Sequence, residues 1–123
     1  MANPFVHVEL QTKELDKAKS FYRGLFDWNL EDMPMGNGMP YTVINVGEGT
    51  GGGMWTNPSA PGAPSHWLAY VNVDNIDATI EKVRGLGGNV VQPKTEIPDM
   101  GWYSVITDPT GAMLGLWQTK PGI

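Results

Sequence analysis

The sequence is made of two similar halves. Arg23-Gly24-Leu25 returns as Arg84-Gly85-Leu86, and Tyr41-Thr42-Val43-Ile44 returns as Tyr103-Ser104-Val105-Ile106, at an offset of about 61 residues. Three more positions follow this offset, since Gly49, Gly53 and Trp55 return as Gly111, Gly115 and Trp117. The offset is about half of the 123-residue chain, which indicates one duplication and not a solenoid of many repeats. Two such units that pair face to face would enclose a cleft in which every position has a twin.

Each half begins with strand-like alternation and changes to helical spacing. Residues 5–11 alternate between apolar and polar side chains, which predicts a half-buried strand. Ala18, Phe21, Tyr22 and Leu25 recur at helical spacing and predict a helix whose apolar stripe packs on a sheet. The predicted helices span 15–26 and 76–86, and Gly87-Gly88 ends the second. The other predicted strands span 41–46, 51–56, 67–73, 102–107 and 113–118, with shorter ones near 28–30 and from 89.

These elements give one α+β domain over residues 1–123. Module one spans 1–56, a Pro-rich linker spans 57–65, and module two spans 66–123. Each module has the order strand-helix-strand-strand-strand (βαβββ). The breaker-rich segments 31–40 and 93–102 are predicted to be loops. Their methionines and Trp102 suit an adaptable cover over a cleft or a buried contact with a second subunit: Met33, Met35, Met39 and Met100.

Composition excludes several classes of partner. A net charge of -5 and a pI near 4.8 are unfavourable for nucleic acid, which requires clustered Lys and Arg. The sequence has no run of about 18 apolar residues, so we expect no membrane span. The segment Met1–Phe5 does not have the pattern of a secretory signal, and the chain has no cysteine, so we expect a cytoplasmic protein without thiol chemistry.

The pattern resembles the vicinal oxygen chelate superfamily, which includes glyoxalase I, bleomycin-resistance proteins and extradiol dioxygenases. The likeness lies in His7-Val8-Glu9-Leu10, Phe21-Tyr22, Gly87-Gly88-Asn89-Val90 and Asp108-Pro109-Thr110-Gly111, and it covers essentially the whole chain. The resemblance implies two tandem βαβββ modules that form a half-open barrel around a central cleft, and it implies a homodimer.

The same resemblance implies where a metal would bind. Metal enzymes of the superfamily take a His or Gln, a Glu, a His and a Glu from the first and last strands of each module. Those positions correspond here to His7, Gly53, Leu68 and Gly115, of which only His7 can be a ligand. We therefore expect no metal and no other cofactor. A rearranged site that recruits Glu9 and His66 is the alternative, although His66 is expected to lie at the surface.

Alternation along the strands predicts which side chains face the cleft. Glycine at 53 and 115 would leave room for a ligand, and the tryptophans and Tyr70 would form its walls, or else fill the barrel. Trp67 has the opposite parity and is expected beneath the second helix. The predicted ligand-binding residues are Gln11, Gly53, Trp55, Leu68, Tyr70, Asn72, Met113, Gly115 and Trp117.

His7 and Glu9 are the candidate catalytic residues. Residues two apart share a strand face and lie about 7 Å apart, so a ligand between them would meet a titratable base and an acceptor. The leading hypothesis is a protein that binds or transforms an apolar or aromatic organic molecule without a metal; as an enzyme it would be a lyase or isomerase. The alternatives are a metal-dependent lyase or dioxygenase with unusual ligands, and a non-catalytic interaction module.

Overall fold

A computed structural model describes residues 2–34, 40–58 and 62–121. In chain order the elements of these residues are β1 (Phe5–Gln11), α1 (Leu15–Leu25), β2 (Asn29–Pro34), β3 (Pro40–Asn45), β4 (Gly52–Trp55), β5 (His66–Asn72), α2 (Ile76–Gly85), β6 (Asn89–Ile97), β7 (Gly101–Thr107) and β8 (Met113–Thr119). The order strand-helix-strand-strand-strand occurs twice, so the predicted α+β fold of two βαβββ modules is confirmed. Neither helix among the described residues is long and apolar enough to cross a bilayer.

The chain divides into two compact units, residues 7–68 and residues 2–6 together with 69–121. In the first unit the strand order is β2-β3-β4-β1, and β1 pairs in parallel with β4. In the second unit the order is β5-β8-β7-β6, and β5 pairs in parallel with β8. The registers match as well, because Glu9 lies opposite Gly53 in one unit and Tyr70 lies opposite Gly115 in the other.

In the first unit the helix covers one face of the sheet. Leu10, Leu30, Ile44 and Met54 form the buried core, and Leu15, Ala18 and Tyr22 of α1 pack against it. The other half of the predicted stripe was wrong, since Phe21 is 61% exposed and Leu25 is 54% exposed. Positions 21 and 25 lie one turn apart on a neighbouring face of the helix, so they turn away from the sheet that receives 18 and 22.

In the second unit α2 covers the sheet in the same way. Ile76 and Ile80 of the helix pack with Val73, Ile106 and Leu116. Asn75 caps the helix N-terminus by accepting from the Ala78 N–H at 3.0 Å. The predicted C-terminal stop is confirmed: Gly87 has a φ of +91°, and the Gly88 N–H donates to the Val83 carbonyl at 2.9 Å, which is a Schellman arrangement.

The predicted loops at 31–40 and 93–102 were wrong over much of their length. β2 extends to Pro34 and β6 extends to Ile97, so Met33 lies in a strand. Trp102 lies in β7, packs against the α2 core, and carries the Lys94 and Lys120 ammonium groups over its ring. Prolines at strand edges interrupt few ladder bonds, which explains why a breaker-rich sequence still forms strands. Met35 and Met39 of the proposed cover, and residues 59–61 of the linker, lie outside the described residues.

Candidate functional site

The face of the first unit opposite α1 carries most of the predicted polar site. Alternation along β1 places His7, Glu9 and Gln11 on this face, since Leu10 lies in the helix-side core. Gly53 and Trp55 of β4 lie directly opposite Glu9 and Gln11. On β3, Val43 lies opposite Gly53, so Tyr41 shares the face as well.

A chain of hydrogen bonds joins three of these side chains. The Tyr41 hydroxyl donates to Glu9 Oε2 at 3.0 Å, and His7 Nε2 lies 2.7 Å from the same hydroxyl oxygen. A phenol has one proton, and the carboxylate can only accept. His7 must therefore donate its Nε2–H to Tyr41, which fixes the imidazole tautomer and orders the chain as His7 to Tyr41 to Glu9.

Glu9 is the anchor of this network because it is only 7% exposed. Its second oxygen accepts from Gln11 Nε2 at 3.1 Å, and Gln11 Oε1 in turn accepts from Asn57 Nδ2 at 3.1 Å. A buried carboxylate is stable only when donors replace its lost hydration. Two side-chain donors from β1 and β3 supply that replacement and hold the carboxylate in place.

Burial lowers the pKa of His7 below its ordinary value, and the negative charge of Glu9 opposes that shift. The lowered pKa favours the neutral imidazole near neutral pH, which agrees with the tautomer that the hydrogen bonds require. The pair therefore combines a neutral imidazole with a buried carboxylate, joined through a phenol, and this arrangement can pass or hold a proton.

The room expected at the two glycines is occupied by tyrosine rings. A Cβ built on Gly53 would overlap the ring of Tyr41, and a Cβ built on Gly115 would overlap the ring of Tyr70. Glycine is therefore required at both positions by a ring packed directly on the backbone. The two units share this packing, although one tyrosine comes from β3 and the other from β5.

Trp55 lies beside Tyr41, with ring centroids 6.2 Å apart and planes inclined at 50°. Its ring is partly buried, and its Nε1 is buried without a hydrogen-bond partner among the described residues. The sequence twin Trp117 differs, because its Nε1 donates to Thr119 Oγ1 at 2.9 Å. The two tryptophans thus occupy equivalent positions with different polar surroundings.

The remaining predicted ligand-binding residues have mixed environments. Leu68 is 3% exposed and Tyr70 is 5% exposed, whereas Met113 is 44% exposed at the start of β8. The Asn72 carbonyl accepts from Asn3 Nδ2 at 2.9 Å. Tyr70 also meets Tyr103 edge-on, with centroids 6.3 Å apart.

Two expectations near the linker have clear outcomes. Trp67 does not pack beneath the second helix; it meets Tyr22 of α1 edge-on at 5.5 Å and is 41% exposed. Trp67 belongs to the first unit, where it joins the aromatic side chains beside α1. His66 is partly buried, and its Nδ1 lies 2.8 Å from the Pro64 carbonyl, so that nitrogen must donate.

A small cavity lies beyond the carboxyl ends of β1 and β4. Its volume is about 40 Å³, which is room for a few waters and far below the roughly 300 Å³ of an ordinary organic-ligand pocket. The residues that line it are Gln11, Thr12, Lys13, Thr56, Asn57, Ala63, Pro64 and His66. Within the described ranges, no three His, Asp or Glu side chains gather into a group that could hold a metal, so His7, Glu9 and His66 do not form the rearranged cluster.

Tyr41 is the site residue that sequence analysis did not identify. The signal was present, since Thr42 and Ile44 have core parity and place Tyr41 on the face of Gly53. Alternation along β3 therefore predicts that Tyr41 faces the polar side of the sheet.

A sequence model of the Glyoxalase/Bleomycin resistance protein/Dioxygenase superfamily matches residues 5–116. The chain belongs to this superfamily. A relative described as "Putative glyoxylase CFP32" from Mycobacterium tuberculosis (strain CDC 1551 / Oshkosh) is 44% identical over 116 residues, covering 92% of this chain and 44% of that protein. "Anthracycline biosynthesis protein DnrV" from Streptomyces peucetius is 24% identical over 89% of this chain and 45% of its own length. The superfamily member described here thus spans about half the length of these curated relatives.

Solved structures agree on the fold. Hypothetical protein BH1468 from Bacillus halodurans C-125 has a TM-score of 0.74 and 14% identity, covering 100% of this chain and 99% of that chain. Methylmalonyl-CoA epimerase from Mycobacterium tuberculosis has a TM-score of 0.67 and 16% identity, covering 95% of this chain and 88% of that chain. At such identities the likeness shows the glyoxalase-type fold.

Proposed function

We propose that this superfamily member binds an apolar or aromatic organic molecule at the face of the first unit that carries Tyr41 and Trp55, without a metal. The observation that carries the proposal is the chain of hydrogen bonds from His7 through Tyr41 to Glu9. A buried carboxylate joined to a half-buried imidazole does not strengthen a core, and such groups concentrate at functional sites. The relative named for anthracycline biosynthesis supports an aromatic ligand.

The donor chemistry of the chain does not fit the metal that the fold family implies. Of the four positions that the resemblance gives to ligands, two are glycines and one is leucine, which leaves His7 alone. A replacement ligand at Gly53 has no space, because its Cβ would meet the Tyr41 ring. A divalent cation needs about three protein ligands, and these residues do not provide them.

Binding is tested by tryptophan fluorescence with a panel of planar aromatic ketones that includes an anthracycline. We expect saturable quenching that weakens at least fivefold in Trp55→Phe. Trp28→Phe is the matched control, because Trp28 belongs to the same unit but packs on the α1 side. If no compound binds, and Trp55→Phe only lowers the stability of the fold, the chain is an interaction module and the proposal is wrong.

A second candidate function is proton transfer by His7 and Glu9, favoured by the ordered tautomer. A ligand from the panel that carries a C–H next to a carbonyl should exchange that hydrogen for deuterium in D₂O, as followed by ¹H NMR. We expect His7→Gln and Glu9→Gln each to slow exchange by about 10²-fold or more, the usual contribution of a general base. If the rate of exchange is the same in both variants as in wild type, proton transfer by His7 and Glu9 is refuted and ligand binding alone remains as the proposed function.

The metal-dependent alternative has its own test. Elemental analysis of purified protein should give far less than one divalent metal per chain, with no change in His7→Ala. One bound metal per chain that disappears in His7→Ala would establish a metal-dependent lyase or dioxygenase and contradict the proposal.

We further propose that the two modules fold as one domain, form a homodimer and act in the cytoplasm. The exposed side chains of Phe21 and Leu25 on α1, and of Phe26 directly after it, favour a surface covered by a second subunit. The absence of cysteine favours a reducing compartment. A single cooperative calorimetric transition and a mass of twice 13.4 kDa by light scattering are the expected results. A monomeric mass or two transitions would contradict these points separately.

A further inference from the structure

The indole N–H of Trp55 is a buried donor without an acceptor among the described residues. Such groups are uncommon in folded proteins, because a buried donor that stays unpaired destabilises the fold. Its twin shows how the same position can be satisfied within the fold. Trp117 Nε1 donates to the hydroxyl of Thr119, two residues further along β8.

The difference between the twins has a local cause. The residue two positions after Trp55 is Asn57, whose amide Nδ2 donates to Gln11 Oε1. Asn57 is therefore turned toward Gln11, which lies directly opposite Trp55 in the parallel pair. The hydroxyl that serves Trp117 has no equivalent beside Trp55.

The other acceptors on this face are already engaged. Glu9 accepts from Tyr41 through one oxygen and from Gln11 through the other. The Tyr41 hydroxyl is held between His7 and Glu9. Each of these acceptors is oriented by its existing partner, and none of them accepts a hydrogen bond from the Trp55 N–H.

We propose that the Trp55 indole N–H is the polar anchor of the ligand site and donates a hydrogen bond to a neutral carbonyl oxygen of an aromatic ligand. The proposal rests on the proposed function and gives the ligand a chemical class, the aromatic ketones and quinones. A ring carrying the oxygen would lie against Trp55 and Tyr41. Because Trp55 Nε1 is buried, the protein atoms that cover it must move aside when the ligand carbonyl oxygen binds.

Electrostatics favour a neutral acceptor over an anion. The Glu9 carboxylate lies on the same face, two register positions away from Trp55, and the chain carries a net charge of -5. A ligand carboxylate at Trp55 would add a second negative charge to a partly desolvated site. A ketone oxygen accepts the same hydrogen bond without that repulsion.

The test compares indanone with indane, which has the same rings and no carbonyl. Affinities of both compounds are measured by NMR titration for the wild type, Trp55→Phe and Trp28→Phe. We expect the preference for indanone over indane to fall about fivefold in Trp55→Phe, as one net hydrogen bond of about 1 kcal/mol requires. The preference should be unchanged in Trp28→Phe, which keeps the Trp55 N–H.

A second measurement does not depend on how the variant folds. In wild-type protein labelled with ¹⁵N at the indoles, the Trp55 Nε1–H resonance should move downfield with indanone and stay in place with indane. The hydrogen bond from Trp55 is refuted if wild type and Trp55→Phe prefer indanone over indane equally. It is also refuted if bound indanone does not shift the Trp55 Nε1–H resonance. In both cases the proposed binding function is unaffected. If neither compound binds and no panel ligand quenches fluorescence, the proposed function fails and the anchor fails with it.

Discussion

Replacing Tyr41 with phenylalanine tests the network that defines the site, because it removes one oxygen and keeps the ring over Gly53. That oxygen makes two hydrogen bonds, at 2.7 Å to His7 and at 3.0 Å to Glu9. A bond to a buried charged group contributes about 1.5–3 kcal/mol, and a neutral bond contributes about 0.5–1.5 kcal/mol. Glu9 keeps its Gln11 donor, so we expect Tyr41→Phe to lower the free energy of unfolding by about 2–4 kcal/mol.

The assay is urea unfolding followed by tryptophan fluorescence and circular dichroism. The midpoint should fall while the slope with denaturant stays constant, since the fold and its buried area are unchanged. Tyr22→Phe is the matched control in the same unit. The Tyr22 ring packs on the α1 core, and its hydroxyl makes no hydrogen bond to the described residues.

We expect Tyr22→Phe to change the free energy of unfolding by less than about 0.5 kcal/mol. If Tyr41→Phe changed it as little, the Tyr41 oxygen would not be holding Glu9 and His7. The assignment of the His7 tautomer would then be wrong. The proposed proton transfer would lose its physical basis as well.

Three further predictions concern other parts of the molecule. Burial lowers the pKa of His7, so the unfolded state binds a proton first as pH falls. The stability that His7 contributes should be complete above about pH 6.5 and fall below it, and His7→Asn should flatten this dependence when urea midpoints are measured across pH. Gly53→Ala should lower the free energy of unfolding by about 1–3 kcal/mol, because the new methyl group overlaps the Tyr41 ring. Gly24→Ala on α1 is the control: its methyl group meets nothing within 4 Å, so the free energy of unfolding should rise by about 0.5–1 kcal/mol in the same denaturation assay. Asn75→Ala should lower the free energy of unfolding by about 0.5–2 kcal/mol, because it removes the cap of α2. Asn75→Asp should keep most of that stability in the same assay, because an aspartate oxygen also accepts the Ala78 N–H.

Much of the fold was predictable because the duplication provides two independent patterns for each element. Alternation located β1 at the residues where it occurs, and the glycine pair located the end of α2. The errors lie where residues that break strands, proline and glycine, occur inside a segment that forms a strand. Proline and glycine near 93–101 indicated a loop, but β6 continues to Ile97 because it lies at the sheet edge, where a missing N–H is tolerated.

The site was predictable only in part. Parity placed His7, Glu9 and Trp55 on the polar side of their strands, because side-chain direction alternates whatever the tertiary structure is. Alternation along a strand does not predict which residue of another strand contacts these side chains. Tyr41 is 32 residues from Glu9, and only the pairing of β3 with β4 brings its hydroxyl to the carboxylate.

The sequence by itself determined the number and order of the elements, the alternation of side chains along the strands, and the glycines at the equivalent positions 53 and 115. These properties depend on residue type and local periodicity, which act over a few positions. Only the tertiary structure decided that tyrosine rings cover those glycines, that Glu9 is held by Tyr41 and Gln11, and that the Trp55 N–H lacks the partner found by Trp117. Hydrogen bonds and ring packing depend on distances between strands far apart in the chain, and folding alone sets those distances.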